Sequence, residues 1–146
     1  MGLGYTDPAI EREIVMAQLV AHPIEELDAV LAPEEIMGVR AVVRTTHVSQ
    51  SVLDFALALT HATRSHADIE LGASPRASIT LVRCAQARAL IQGREFVVPD
   101  DIKALAVATL AHRVLPAAGL RLESSRAQQI VTEVLQSTPV PVTDGG

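Results

Sequence analysis

Aromatic residues are nearly missing from this 146-residue chain: Tyr5, Phe55 and Phe96 are all there are, and tryptophan is absent. A core must therefore be assembled from Ala, Leu, Val and Ile, which suits closely packed helices better than an aromatic-rich sandwich or barrel. Cysteine occurs once, so no intrachain disulfide can form, and Cys84 falls among Leu81, Val82 and Ala85, where a small buried residue is expected. No apolar run approaches the length of a membrane span, and no basic segment followed by an apolar stretch opens the chain. A cytoplasmic location is the default expectation. Basic residues are outnumbered 12 to 17, a formal net charge of −5. Such a chain gains little from counterion release on DNA or RNA and is repelled by anionic membranes, so neither is expected as a partner. The chain also has no G-x-x-x-x-G-K-[ST] and no apolar strand ending in paired acids, the parts that cradle phosphates and magnesium. On its own it is not expected to bind or hydrolyse ATP.

What the chain does have is hydrophobic content of 49%, enough for a real core, arranged almost everywhere with helical spacing. Asp7-Pro8 can cap and start a helix with Ile10, Ile14, Val15 and Ala17 on one side, and His22-Pro23 marks its end. Pro33 starts a second run through Ile36, Val39 and Val43. Ser49 opens a longer helix, with Val48 and Leu53 placed as a hydrophobic staple and Leu53, Ala56, Leu57 and Thr60 along its face. The next helix carries Ile79, Val82, Ala85 and Ala89 until Gly93 stops it, and another follows Pro99 with Ile102, Leu105, Val107 and Leu110. A final helix over roughly 124–137 places Ala127, Ile130, Val131, Val134 and Leu135 on one face. The segment 95–98 is the one plausible β element and is too short for a sheet. From Pro139 onward, prolines and glycines predict an extended or mobile tail.

The segment with most chemical content is Leu71-Gly72-Ala73-Ser74-Pro75-Arg76-Ala77. Ser74 is predicted to cap a helix through its hydroxyl, and Pro75 at the first helical position gives up no needed donor. Arg76 then lies in the first turn, where the helix dipole makes a cation unfavourable by about 0.3–1 kcal/mol unless an anion meets it. These residues alone fit both a solvated surface arginine and an anion-binding one.

Further along come Gly93-Arg94-Glu95-Phe96-Val97-Val98-Pro99-Asp100-Asp101-Ile102 and then His112-Arg113. The order and spacing of the three segments resemble the C-terminal part of MoxR-family AAA+ ATPases, which carry G-A-S-P-R-A, G-R-x-x-V-x-P-D-D-[IV] and a closing H-R. The resemblance covers nearly the whole chain, including Leu3-Gly4-Tyr5 near its start. Two departures are Thr6, where the family has proline, and Val98, where it more often has threonine. The second predicts that the helix after Pro99 lacks a side-chain cap, a loss of about 1 kcal/mol.

The resemblance implies an all-α helical bundle of the AAA+ lid type, preceded by a helix left over from the α/β core. It divides the chain into 1–46, the end of the core and connecting helices; 47–137, the lid; and 138–146, a tail. It implies that Arg76 is the second-sensor arginine reaching the γ-phosphate, with Ser74 and Pro75 positioning it. Tyr5 is implied, less directly, on the adenine side, against the alternative of an aromatic packed at the hinge. ATP and Mg2+ would be cofactors of the full-length protein and not of this fragment. The partners implied are the core of the same protein, a homo-oligomeric ring such as a hexamer, and a client protein that no residue here identifies, within a chaperone-like role.

Other candidates carry less. Asp100 and Asp101 are read as solvated groups favoured by the helix N-terminus, with no third ligand for a metal. His22, His47, His61, His66 and His112 make no close zinc-ligand spacing. Arg94 is read as pairing with loop acids or packing across the bundle, and His112-Arg113 as closing a helix C-terminus. Two further classes share the helical pattern: a stand-alone adaptor with an apolar groove, and the lid of a magnesium-chelatase-type ATPase. A histone-like nucleic-acid module is opposed by the charge.

Overall fold

The structure, a computed structural model, describes residues 4–19, 22–120 and 125–141. The chain divides into two compact units, 1–38 and 39–146. In the first, α1 (Pro8–Gln18) starts as its sequence predicts: the Asp7 carboxylate accepts from the Ala9 N–H at 2.9 Å and Pro8 occupies the first turn. A 3-10 turn follows at Pro23–Glu26, and α2 (Pro33–Thr45), whose residues from Val39 on are counted with the second unit, begins with the Glu35 carboxylate reaching back to the Ala32 N–H at 2.7 Å. Neither α1 nor α2 contains a buried residue, and Ile10, Ile14, Val15, Ile36 and Val39 all stand exposed.

In the second unit four helices pack around one core: α3 (Gln50–Ser65), α4 (Pro75–Ile91), α5 (Pro99–Leu110) and α6 (Arg126–Ser137). The scarcity of aromatics has the expected consequence. Five alanines, at 56, 77, 85, 89 and 106, are sealed from solvent beside Leu59, Leu81, Ile102 and Leu110. Alanines at the α4–α5 contact let these helix backbones approach closely, so many small groups bury what a few rings would otherwise bury.

The starts and stops of these helices follow the sequence, whereas two of the faces are rotated from the prediction. On α4 the buried stripe is Ala77, Leu81, Ala85 and Ala89, while Ile79 is 64% exposed. On α3 it is Val52, Phe55, Ala56, Leu59, Thr60 and Thr63, while Leu53 and Leu57 are half-buried. Cys84 is half-buried and unpaired. The C-terminus of α4 is a complete Schellman motif: Gly93, at φ +72°, donates to the Leu90 carbonyl at 2.9 Å and Arg94 to that of Ala89 at 2.9 Å. His112 and Arg113 close α5 in a 3-10 turn, Ala111–Arg113, with Arg113 Nε donating to His112 Nε2.

A small sheet that the sequence did not suggest joins β1 (Ile69–Leu71) to β2 (Leu115–Pro116) in antiparallel fashion. The segment expected as an isolated extended piece instead makes a single parallel bridge, Phe96 with His47. Of the expected tail, Thr138 is buried with its hydroxyl on the Val134 carbonyl at 2.7 Å. Pro139, Val140 and Pro141 line a shallow cavity with Phe55 and Ala58 of α3, and 142–146 lie outside the described residues. The residue proposed to open α6, Ser124, is also outside them; α6 begins at Arg126, next to Ser125.

Candidate functional site

Arg76 sits in the first turn of α4, exposed, with no hydrogen bond or ion pair of its side chain among the described residues. The loop that delivers it is tightly held. Gly72 lies so close to α3 that a Cβ there would come 2.6 Å from Arg64 Cα and 2.8 Å from Arg64 N, so this position admits only glycine without movement of the helix. Ala73 is buried; its N–H donates to the Thr63 hydroxyl at 2.9 Å and its carbonyl accepts from Arg64 Nε at 2.8 Å. One turn into α4, Ser78 donates to the Thr60 hydroxyl at 3.0 Å, and Thr60 and Thr63 pass their own protons to the carbonyls of Leu57 and Thr60. Every one of these buried hydroxyls is satisfied, which makes the connection specific as well as favourable.

Ser74 does not do what its position suggests. Its hydroxyl makes no capping bond, because the Ala77 N–H it would serve already donates to the Ser74 backbone carbonyl at 2.8 Å. Pro75 does hold the first helical position. The G-A-S-P-R segment thus works through a close approach at Gly72, a buried methyl at Ala73 and a fixed φ at Pro75, leaving the guanidinium of Arg76 outside.

The second motif is built around a buried charge, against the expectation of two solvated acids. Asp100 is indeed exposed and pairs with Lys103 at 2.9 Å. Asp101 is 0% exposed. Its Oδ1 accepts from Arg88 Nη1 and from Arg94 Nη2 at 2.7 Å, and its Oδ2 from Arg94 Nη1 at 2.8 Å and the Val98 N–H at 3.0 Å. Burial by itself would raise the carboxyl pKa, but the bonds from Arg94, the Val98 amide and Arg88 together hold it below the usual carboxylate range. The same pairing raises the Arg94 pKa. Arg94 therefore pairs with an acid, as expected, but with the buried one. Sequence reasoning missed the pair of Arg94 and Asp101 although a signal existed: an acid at the third position of a helix whose cap residue has no side-chain acceptor.

A surface network ties α6 to the start of β1. Arg126 binds both Asp68 and Glu133, the latter at 3.1 Å, and His66 Nε2 lies 3.5 Å from Glu133. Among the described residues no group of three or more His, Cys, Asp or Glu side chains is placed to hold a metal ion, and no helix is long and apolar enough to cross a membrane. Tyr5 is fully exposed and belongs to the first unit, Arg76 to the second.

Residues 61–134, half of the chain, match the family of AAA lid domains. The chain belongs to that family. The lid match begins within α3 and ends within α6, so it contains both the Arg76 loop and the Asp101 cluster. Among curated relatives, the uncharacterized protein YeaC of Bacillus subtilis is 36% identical over 140 residues, covering 96% of this chain and 44% of that protein. Chaperone MoxR1 of Mycobacterium tuberculosis is 25% identical over 150 residues, covering 97% of this chain and 39% of that protein. The crystal structure of a Cytophaga hutchinsonii protein designated an ATPase superposes with a TM-score of 0.77 at 26% identity, over 96% of this chain and 45% of that one. The lid chain thus spans under half the length of these relatives, and its fold and family are those of a MoxR-type AAA+ ATPase fragment.

Proposed function

We propose that this chain is the C-terminal part of a MoxR-type AAA+ ATPase and that Arg76 is its nucleotide sensor, the residue through which the lid reads the γ-phosphate of ATP. The observation that carries this is the contrast at the start of α4. Two hydrogen bonds to Ala73, the bond from Ser78 to Thr60 and the close approach of Gly72 hold the loop and the start of α4 on α3, while the arginine they deliver stands in solvent without a partner, where the helix N-terminus disfavours it. An unpaired guanidinium kept at a helix N-terminus is well suited to a phosphate, which would add charge-assisted bonds and relieve the unfavourable charge. Hydrolysis removes that phosphate, and the lid then has a reason to change angle.

The reading takes 1–46 as the end of the nucleotide-binding core with connecting helices, 47–137 as the lid and 138–146 as a tail. It places Tyr5 on the adenine side, with ATP and Mg2+ bound mainly by a core outside this chain. The exposed apolar sides of α1 and α2, which bury nothing here, fit contact with that core. Assembly into a homo-oligomeric ring such as a hexamer, a cytoplasmic location and a chaperone-like action on a client protein complete it.

The test is Arg76→Ala in the full-length protein. ATP turnover is expected to fall by about tenfold or more, the effect of removing one charged contact to the transferred phosphate. Unchanged turnover together with unchanged ATP-dependent assembly overturns the sensor role. Tyr5→Ala with unaltered ATP affinity removes Tyr5 from the adenine site while leaving Arg76 in place.

A further inference from the structure

Ala73, in the segment that links β1 to α4, is gripped through both of its backbone polar groups, and the two grips differ in kind. The Ala73 N–H is held by Thr63, a buried and neutral hydroxyl; the Ala73 carbonyl is held at 2.8 Å by the Nε–H of Arg64, an exposed and charged side chain. Ala73 stands three residues before Arg76, and one residue before the serine whose carbonyl closes the first turn of α4. Gly72, pressed on the Arg64 backbone, leaves no slack between that arginine and the loop.

We propose that Arg64 is a positioning residue for Arg76: by holding the Ala73 carbonyl it fixes the direction in which α4 presents its first-turn arginine to nucleotide. This rests on the reading of Arg76 as the sensor. Arg64 acts through the hydrogen bond from Nε, not through its charge. That bond crosses from the last turn of α3 to the entry of α4, so it couples the two helices where a small rotation of α4 displaces the long Arg76 side chain most.

The chemistry of the side chain supplies a clean separation of bond from charge. Glutamine carries an N–H donor at the ε position, as many bonds from Cα as arginine Nε, but no charge; methionine matches the stem and has neither. In the full-length protein, Arg64→Met is expected to lower kcat for ATP hydrolysis about tenfold with KM for ATP little changed, the size expected from losing one hydrogen bond. Arg64→Gln restores kcat to within about twofold. In an Arg76→Ala background, Arg64→Met has no further effect, because its action runs through the residue already removed. A loss in Arg64→Gln as large as in Arg64→Met, or an equal loss in both backgrounds, overturns the proposal.

A second measurement, on this 146-residue chain, stands apart from catalysis. Amide hydrogen exchange at Ala73 and Ala77 is expected to quicken about tenfold in Arg64→Met and to stay near wild type in Arg64→Gln. Unchanged protection in Arg64→Met overturns the positioning role whatever Arg76 does. Should Arg76→Ala leave turnover intact while exchange responds as stated, the sensor reading fails and the bond from Arg64 to the loop stands.

Discussion

Arg94 binds both oxygens of Asp101, Nη2 to Oδ1 at 2.7 Å and Nη1 to Oδ2 at 2.8 Å, across the turn between α4 and α5. The carboxylate is fully buried and takes two more donors, Arg88 and the Val98 amide, so its four lone-pair sites are filled. Asp101→Asn keeps the shape but removes the charge and turns one acceptor into a donor facing guanidinium groups. The Arg88 and Arg94 side chains are 33% and 24% exposed and can turn toward water, which puts the loss at the low end for a broken buried pair, about 3 kcal/mol. Urea unfolding of the 146-residue chain should show the midpoint fall with an unchanged slope.

The same cluster sets an acid limb. The folded-state pKa of Asp101 is depressed below its unfolded value of about 3.9, so its contribution is fully present well above that value and is lost as the pH falls through the folded pKa. Stability measured from about pH 6 down to pH 2 should therefore decline more steeply in the wild-type chain than in Asp101→Asn, the two curves converging in acid. Parallel curves would mean that Asp101 titrates alike in the folded and unfolded chain.

Two glycines respond in opposite directions to the same added methyl. At Gly72 the new Cβ meets the Arg64 backbone at 2.6–2.8 Å, and Gly72→Ala should cost about 1–3 kcal/mol through overpacking and displacement of the Arg76 loop. At Gly38, inside α2, nothing lies within 4 Å, and Gly38→Ala should stabilise that helix by about 1 kcal/mol through propensity alone. Calorimetric midpoints and helical circular dichroism of the two variants decide the pair of predictions.

The parts of this fold written in the sequence are those decided by neighbours a few residues apart. Asp7-Pro8, Ser49, Pro75 and Pro99 start helices and Gly93 ends one because capping and φ restriction act within a single turn. Which side of α4 faces inward was not legible, since a helix carrying Ile79 and Val82 on one side and Ala77, Leu81 and Ala85 on another offers two apolar stripes. Packing against α5 selects the alanine-rich one. The pairing of Ile69 with Pro116 joins residues far apart in the chain and leaves no local mark. Asp101 was misread because it stands beside Asp100 in the sequence, while the rotation of about 100° between neighbours on a helix places one in water and the other in the core. At the candidate site, the place of Arg76 in the first turn of α4 was legible from Ser74-Pro75, whereas Thr63 and Arg64, which hold the loop before it, announce themselves only in three dimensions.

Val98 leaves one repair open. It is the N-cap of α5, in extended conformation at φ −111° and ψ 159°, and has no oxygen to offer the first-turn amides. Half of a capping box already exists, because Asp101 Oδ2 accepts from the Val98 N–H at 3.0 Å. Threonine has nearly the shape of valine and would supply the missing half from its hydroxyl. The gain is limited because the Asp101 N–H already donates to the Val98 carbonyl at 2.9 Å, leaving the new oxygen to share that donor or take the Asp100 N–H. Val98→Thr should therefore stabilise the chain by about 0.5–1 kcal/mol, read as a raised urea midpoint. The increment should shrink in Asp101→Asn, where the reciprocal bond to residue 98 is weakened. A midpoint that does not move would mean that the backbone carbonyl alone satisfies the start of α5, as the Ser74 carbonyl does at the start of α4.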